Sequence, residues 1–223
     1  MGKLYIVGTP IGNLQDITLR ALETLKTVDF IACEDKRVTI NLLNHYQINK
    51  PLLSYFQHSK ISQVDKIIAL LKDGKDIALV TDAGTPGISD PGNKLVAEVI
   101  DHDLVVLPIP GVSAMTTLLS ISGLPTDEFV FFGFLPHKKG RQTKLYRIID
   151  SKQTIVLYES VHRIEKLLRE LKEAGIEERA IVLGRELTKQ FESIYRGTVD
   201  QITTKLNEDK IKGEFVLVIE GSK

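Results

Sequence analysis

The stretch that most constrains the fold is Ile77-Ala-Leu-Val-Thr-Asp-Ala-Gly-Thr-Pro-Gly-Ile-Ser-Asp-Pro-Gly92. Its first four residues are the apolar run of a buried strand. The next twelve hold three Gly, two Pro, two Asp and two Thr, more than a tight turn needs. Glycine permits positive φ and close backbone approach, and Pro86 and Pro91 stiffen the loop while removing two donors. Residues 94–100 then place Leu95, Val96, Val99 and Ile100 on one helical face. Strand, rigid glycine loop and helix in that order predict an α/β sheet with a small ligand against the loop, at the carboxyl ends of the strands.

The remaining elements keep that alternation. Strands are expected at 3–7, 29–33, 52–55 and 104–110, with helices at 16–25, from 37 to Tyr46, at 62–72 and after Gly111. That pattern predicts a mostly parallel, three-layer first domain, residues 1–120. A second α/β domain, 121–223, begins at the helix end marked by the Gly and Pro at 123–125. Its expected strands are 129–132, 154–158, 180–183, 191–197 and 214–219, its helices 143–149, up to Glu173, and 199–206. Residues 133–136 read as a rigid turn, and 137–141 as a basic loop.

Charge and cysteine content narrow the function. Lys plus Arg equals Asp plus Glu, 29 each, so bulk electrostatics do not drive nucleic-acid binding and any basic groove must be local. The single Cys33 sits in an apolar run, which suits a buried small residue and a reducing cytoplasm. No run is long enough to span a membrane, and no signal peptide is expected. The five His are scattered without zinc spacing. The dinucleotide fingerprint, the phosphate loop and the nucleophile elbow are all missing. What remains is a series of loops after strands, at 8–13, 34–37, 82–92, 110–114, 133–136, 159–160 and 184–187. They carry Gly, Pro and the acids Glu34, Asp35, Asp82, Glu159 and Glu186. Such a site suits a cationic or hydroxyl-bearing small molecule.

Several motifs together resemble the tetrapyrrole methylase superfamily. They are Leu4-Tyr-Ile-Val-Gly-Thr-Pro-Ile-Gly-Asn13, Thr81-Asp-Ala-Gly-Thr-Pro86 with Ser89-Asp-Pro-Gly92, Pro110-Gly-Val-Ser-Ala114, Gly133-Phe-Leu-Pro136, Tyr158-Glu-Ser160, Arg185-Glu-Leu-Thr-Lys189 and 213–221. Within it they resemble the branch that methylates the 2′-hydroxyl of a cytidine in 16S rRNA with S-adenosylmethionine. The resemblance implies two α/β domains with the cofactor in the cleft between them, in a cytoplasmic homodimer that meets the small ribosomal subunit and neither DNA nor membrane. The scattered His, without zinc spacing, predict no metal site. By resemblance, Pro10 lines the cleft, and Gly84, Thr85 and Ile88 hold the methionine part of the cofactor, largely by backbone. Ser113 and Ala114 border it, and Tyr158, Glu159, Leu187 and Glu214 lie near the adenosine. Where the branch has Glu-Asp-Thr, this chain has Glu34-Asp35-Lys36, which adds a cation able to meet an RNA phosphate.

Methyl transfer to a hydroxyl needs a base within hydrogen-bond reach. The acids at 34, 35, 82, 159 and 186 all qualify by position. The turn Glu34-Asp35 is favoured, since a bulky RNA must reach a methyl at the cleft mouth. A role at the start of the next helix competes for the same pair, and helix capping competes for Glu159. Lys36, Lys138, Lys139, Arg141 and Arg163 are the expected RNA contacts. A tetrapyrrole carbon methyltransferase and a non-catalytic RNA-binding factor are the rival readings.

Overall fold

The computed structural model describes residues 1–56, 61–176, 178–209 and 211–222. The chain divides into two compact units, Met1–Ser113 and Ala114–Lys223. The division falls after Ser113, so the helix read as closing the first domain opens the second.

The first unit is a five-stranded sheet. Its strands are β1 (Lys3–Val7), β2 (Phe30–Cys33), β3 (Leu52–Ser54), β4 (Ile77–Leu79) and β5 (Val105–Ile109). They lie in the order β3-β2-β4-β1-β5, and every pair is parallel. The period-2 alternation of strand side chains separates two cores. Leu4, Ile77 and Leu79 face α3 (Ile61–Lys72) and α4 (Asn93–Asp101), meeting Ile67, Leu71, Leu95 and Val99. Val7, Ile31, Ala78 and Val80 face α1 (Leu19–Thr27) and α2 (Lys36–His45), meeting Ala21, Leu25 and Leu43. These are the three layers expected of the alternating pattern. Cys33 is fully buried, and burial pushes its thiol pKa up.

The first helix begins later than its periodicity suggests. Thr18 accepts a hydrogen bond from the Ala21 N–H at 3.0 Å, which caps α1 at Leu19. Asp16 belongs instead to a short 3-10 turn, Leu14–Asp16.

The second unit departs further from expectation. Its strands are β6 (Phe129–Phe134), β7 (Thr154–Ser160), β8 (Ile181–Arg185), β9 (Ser193–Gly197) and β10 (Glu214–Ile219), ordered β6-β7-β10-β8-β9. Only β6 and β7 pair in parallel; β10 runs antiparallel to both neighbours, and β9 to β8. Helices α6 (Arg141–Asp150), α7 (Ile164–Glu173) and α8 (Val199–Asn207) pack on one face, through Leu145, Ile148, Leu167, Leu171 and Ile202. The remaining helix, α5 (Ala114–Ser120), places Leu118 where a side chain at Gly184 would have to sit. Gly133 and Phe134, read as a turn, continue β6 past a register shift between Phe131 and Gly133. Glu159 and Ser160, read as a loop, are the last rungs of β7, paired with Phe215 and Glu214.

Candidate functional site

All five strands of the first sheet end on one edge, and their loops are tied together there. Gly8 and Gly111 touch backbone to backbone: a Cβ on Gly8 would lie 2.8 Å from the Gly111 Cα. Thr9 and Gly84 form an isolated antiparallel bridge, with the Thr9 N–H donating to the Gly84 carbonyl at 2.9 Å and the Gly84 N–H donating back at 3.0 Å. The Thr9 hydroxyl donates to the Thr81 carbonyl at 3.2 Å, and the Thr85 hydroxyl to the Val112 carbonyl at 3.2 Å.

The Gly84 N–H and carbonyl both bond Thr9, so Gly84 ties the loop cluster together. With φ at +76°, a side chain there is strained whatever the space. Gly84→Val is expected to lower the unfolding free energy by at least about 1–2 kcal/mol. Chemical denaturation checks it, and an unchanged midpoint would contradict the bridge.

Three acids crowd the same edge. The Asp82 carboxylate accepts the Asp35 N–H at 3.1 Å. Asp35 in turn caps α2, accepting the Arg37 N–H at 2.8 Å, and grips the Arg37 guanidinium at 2.6 Å. Those bonds hold the Asp35 carboxyl down to about 2. Asp35 is thus a helix cap. Burial, then the negative charges of Asp82 and Asp35, raise the Glu34 pKa.

Beside this cluster lies a pocket of about 230 Å³, wholly within the first unit. It is lined by Thr9 and Pro10 after β1, Val80, Thr81 and Asp82 after β4, and a stripe of α2 that includes Val38, Asn41 and Leu42. Topology puts it there. β1 is followed by α1 on one face of the sheet, and its neighbour β4 by α4 on the other. A crevice opens where adjacent strands send their helices to opposite faces.

The expected second-unit residues divide sharply. Topology does bring the ends of β6, β7 and β8 and the starts of β9 and β10 to one edge, as the paired rungs Glu214–Ser160, Phe215–Arg185 and Arg185–Ser193 require. Yet Glu159 points into the helix-covered core, 1% exposed. Its carboxylate meets Arg163 at 2.8 Å and accepts the Ser160 N–H at 2.8 Å. Arg163 also donates to the Leu135 carbonyl at 2.9 Å. Arg141 is likewise buried, doubly bonded to Glu170 and donating to the Pro136 carbonyl. Basic residues that look like surface charges in a hydrophilic run are here structural. Lys138 and Lys139 are exposed ahead of α6, and Lys36 is exposed in the first turn of α2.

Tyr158 is half-buried; its hydroxyl accepts the Met115 N–H at 3.1 Å, and its ring meets Phe131 and Phe134 edge-on. Leu187 is buried. Glu186 and Glu214 share Lys189, each at 2.9 Å. Burial opposes ionisation of Glu186, but Lys189 and the Glu214 N–H outweigh it, and its pKa is lowered. Ser113 ends the first unit and Ala114 opens α5; both are half-buried. Ile88 is exposed on the 82–92 loop.

Sequence reasoning missed Leu14, Val38, Thr39 and Asn41 as pocket lining. The signal was present but easily read as ordinary: Val38, Asn41 and Leu42 share a helical face, and an amphipathic helix has such a face anyway. Among the described residues, no group of three His, Cys, Asp or Glu could hold a metal, and no helix is long and apolar enough to cross a membrane.

A parallel sheet whose loops build a glycine- and proline-rich, acidic edge, joined to a second mixed sheet, matches a known enzyme family. Residues 3–203 fit the model of the tetrapyrrole (corrin/porphyrin) methylases. Along its whole length the chain is 48% identical to ribosomal RNA small subunit methyltransferase I of Synechocystis sp., covering 80% of that protein. It is also 48% identical to the protein of that name from Bacillus subtilis, covering 76% of it. The chain belongs to the tetrapyrrole methylases and, within them, to the family of these ribosomal RNA small subunit methyltransferases. Among solved structures, uroporphyrin-III C-methyltransferase of Thermus thermophilus, complexed with S-adenosyl homocysteine, superposes with a TM-score of 0.65 at 17% identity, covering 97% of each chain. At that identity the likeness is one of fold.

Proposed function

We propose that this protein is an S-adenosylmethionine-dependent methyltransferase of small-subunit ribosomal RNA, and that it methylates the 2′-hydroxyl of a cytidine in 16S rRNA. The observation that carries the reading is near-half identity, over the full chain, to proteins named for that RNA. The residues at the sheet edge suit the cofactor. Glu34, Asp35 and Asp82 give the edge a negative field that favours a sulfonium cation. Pro10, Thr85, Ile88, Ser113 and Ala114 hold the cofactor, and Gly84 keeps their loops in place. When bound, S-adenosylmethionine supplies an electrophilic methyl group. Glu34, its pKa raised, accepts the proton of the attacking hydroxyl. Lys36 in the first unit, and Lys138 and Lys139 in the second, each meet RNA phosphates, local positive charge that the neutral chain lacks in bulk.

Methyl-labelled S-adenosylmethionine and small subunits from cells lacking this activity test the reading. Label is expected in one nucleoside, a cytidine carrying the methyl on its ribose. Label on a base, or none, would overturn it. Removing Lys138 and Lys139 together is expected to weaken RNA binding and lower its salt slope by up to about 2; an unchanged slope would return both to ordinary surface charge.

A further inference from the structure

We infer that the pocket between Pro10, Asp82 and α2 receives the base of the target nucleotide, a pyrimidine carrying an exocyclic amino group. This rests on the RNA reading above and assigns a place to the substrate.

Size comes first. Pockets for drug-sized ligands run to about 300–1,000 Å³, and this one is about 230 Å³. It takes a single ring system and not a whole nucleoside-bearing cofactor. Shape and chemistry come next. Pro10, Leu14, Val38, Leu42 and Val80 make an apolar wall. Leu14 and Val38 are 37% and 41% exposed, apolar surface with no core to cover it. A flat ring laid against them removes that surface from water. Asn41, Asp82, Thr39 and Thr81 supply the polar groups of the same pocket. A carboxamide both donates and accepts, which answers the acceptor nitrogen and the amino donor on a cytosine edge. The Asp82 carboxylate is acceptor-only and suits an amino group, whereas a uracil carbonyl there would face a negative charge. The Asp35 N–H already bonds one Asp82 oxygen and fixes the group's position.

Position is the third argument. Asp82 is both a pocket wall and the acceptor of the Asp35 N–H at 3.1 Å, in the turn that also holds Glu34. A base seated in the pocket therefore brings its own ribose close to Glu34. Enzymes whose target atom lies on a stacked base extrude that base into a pocket and read its pairing edge; a ribose-directed enzyme that holds the base in the same way fixes the sugar attached to it.

Two variants and two RNAs test the assignment. Val38→Trp fills the pocket from α2, and Asn41→Leu removes the carboxamide at an exposed helical position. Folding is monitored by circular dichroism and cofactor affinity by calorimetry. For Val38→Trp, KM for RNA is expected to rise by roughly tenfold to a hundredfold, the range of a good base contact, with cofactor affinity unchanged. For Asn41→Leu, the preference of the wild type for a target cytidine over a uridine is expected to shrink by a similar factor. Wild-type turnover with full activity in both variants would overturn the pocket alone. Loss of cofactor affinity in either folded variant would place the cofactor there and also overturn it. No methylation of any RNA by the wild type would overturn the RNA reading, and the base assignment with it.

Discussion

Glu34→Gln is expected to slow single-turnover methylation by roughly a hundredfold to ten-thousandfold, the range for loss of a general base. Cofactor affinity and melting temperature should stay near those of the wild type. The expectation comes from the contrast between two adjacent carboxyls. Asp35 is held down to about 2 by Arg37 and by the N–H it caps, so it is a poor proton acceptor. Glu34 is half-buried and faces the charges of Asp82 and Asp35, and its pKa is raised. A base works best when its pKa approaches the working pH, so each of these influences moves Glu34 the useful way. The sign of the pH dependence follows. The base acts as the carboxylate, so the wild-type rate should fall as pH drops through the raised Glu34 pKa. In Glu34→Gln that acid limb should vanish. Asp35→Asn keeps a capping side chain and should turn over near normally, with a modest loss of stability. A Glu34→Gln protein with near-normal turnover and an intact acid limb would exclude Glu34 as the base.

What could be read from residues alone follows from what local pattern encodes. The alternation of short apolar runs with amphipathic stretches carried all five parallel strands of the first unit, because a sheet buried on both faces needs continuous apolar runs. The central run, Ile77–Leu79, is fully buried. Loop chemistry was legible too: the 82–92 segment lies at the strand ends where its glycines and prolines put it. Pairing direction in the second unit was not legible. A strand such as Glu214–Ile219 has the same pattern whether its neighbours run with it or against it, and β10 runs against both. Nor does sequence show which charges are spent. Arg141 stands in a basic run with Lys138 and Lys139, yet it turns inward to Glu170 while the lysines stay exposed. Only the fold decides which basic residue has a carboxylate across from it.

The same logic makes Arg163 a residue of stability. Its guanidinium lies 2.8 Å from a Glu159 carboxylate whose side chain is wholly buried, and it also donates to the Leu135 carbonyl at 2.9 Å. One Glu159 oxygen takes the Ser160 N–H, while the other has no hydrogen-bond partner. The arginine is thus the main compensation for a negative charge buried in the second unit. Breaking such a pair from one side costs about 3–5 kcal/mol, because the remaining charge stays buried. Arg163→Ala is therefore expected to lose about that much in chemical denaturation, with the slope of the transition preserved. Glu159→Gln with Arg163→Ala should recover part of the loss, since a neutral carboxamide removes the stranded charge. An RNA contact would behave in the opposite way: Arg163→Ala would leave the denaturation midpoint in place and flatten the salt dependence of binding. A midpoint shift with an unchanged salt slope separates the two roles, and a stable Arg163→Ala protein with weakened RNA binding would return Arg163 to the RNA surface.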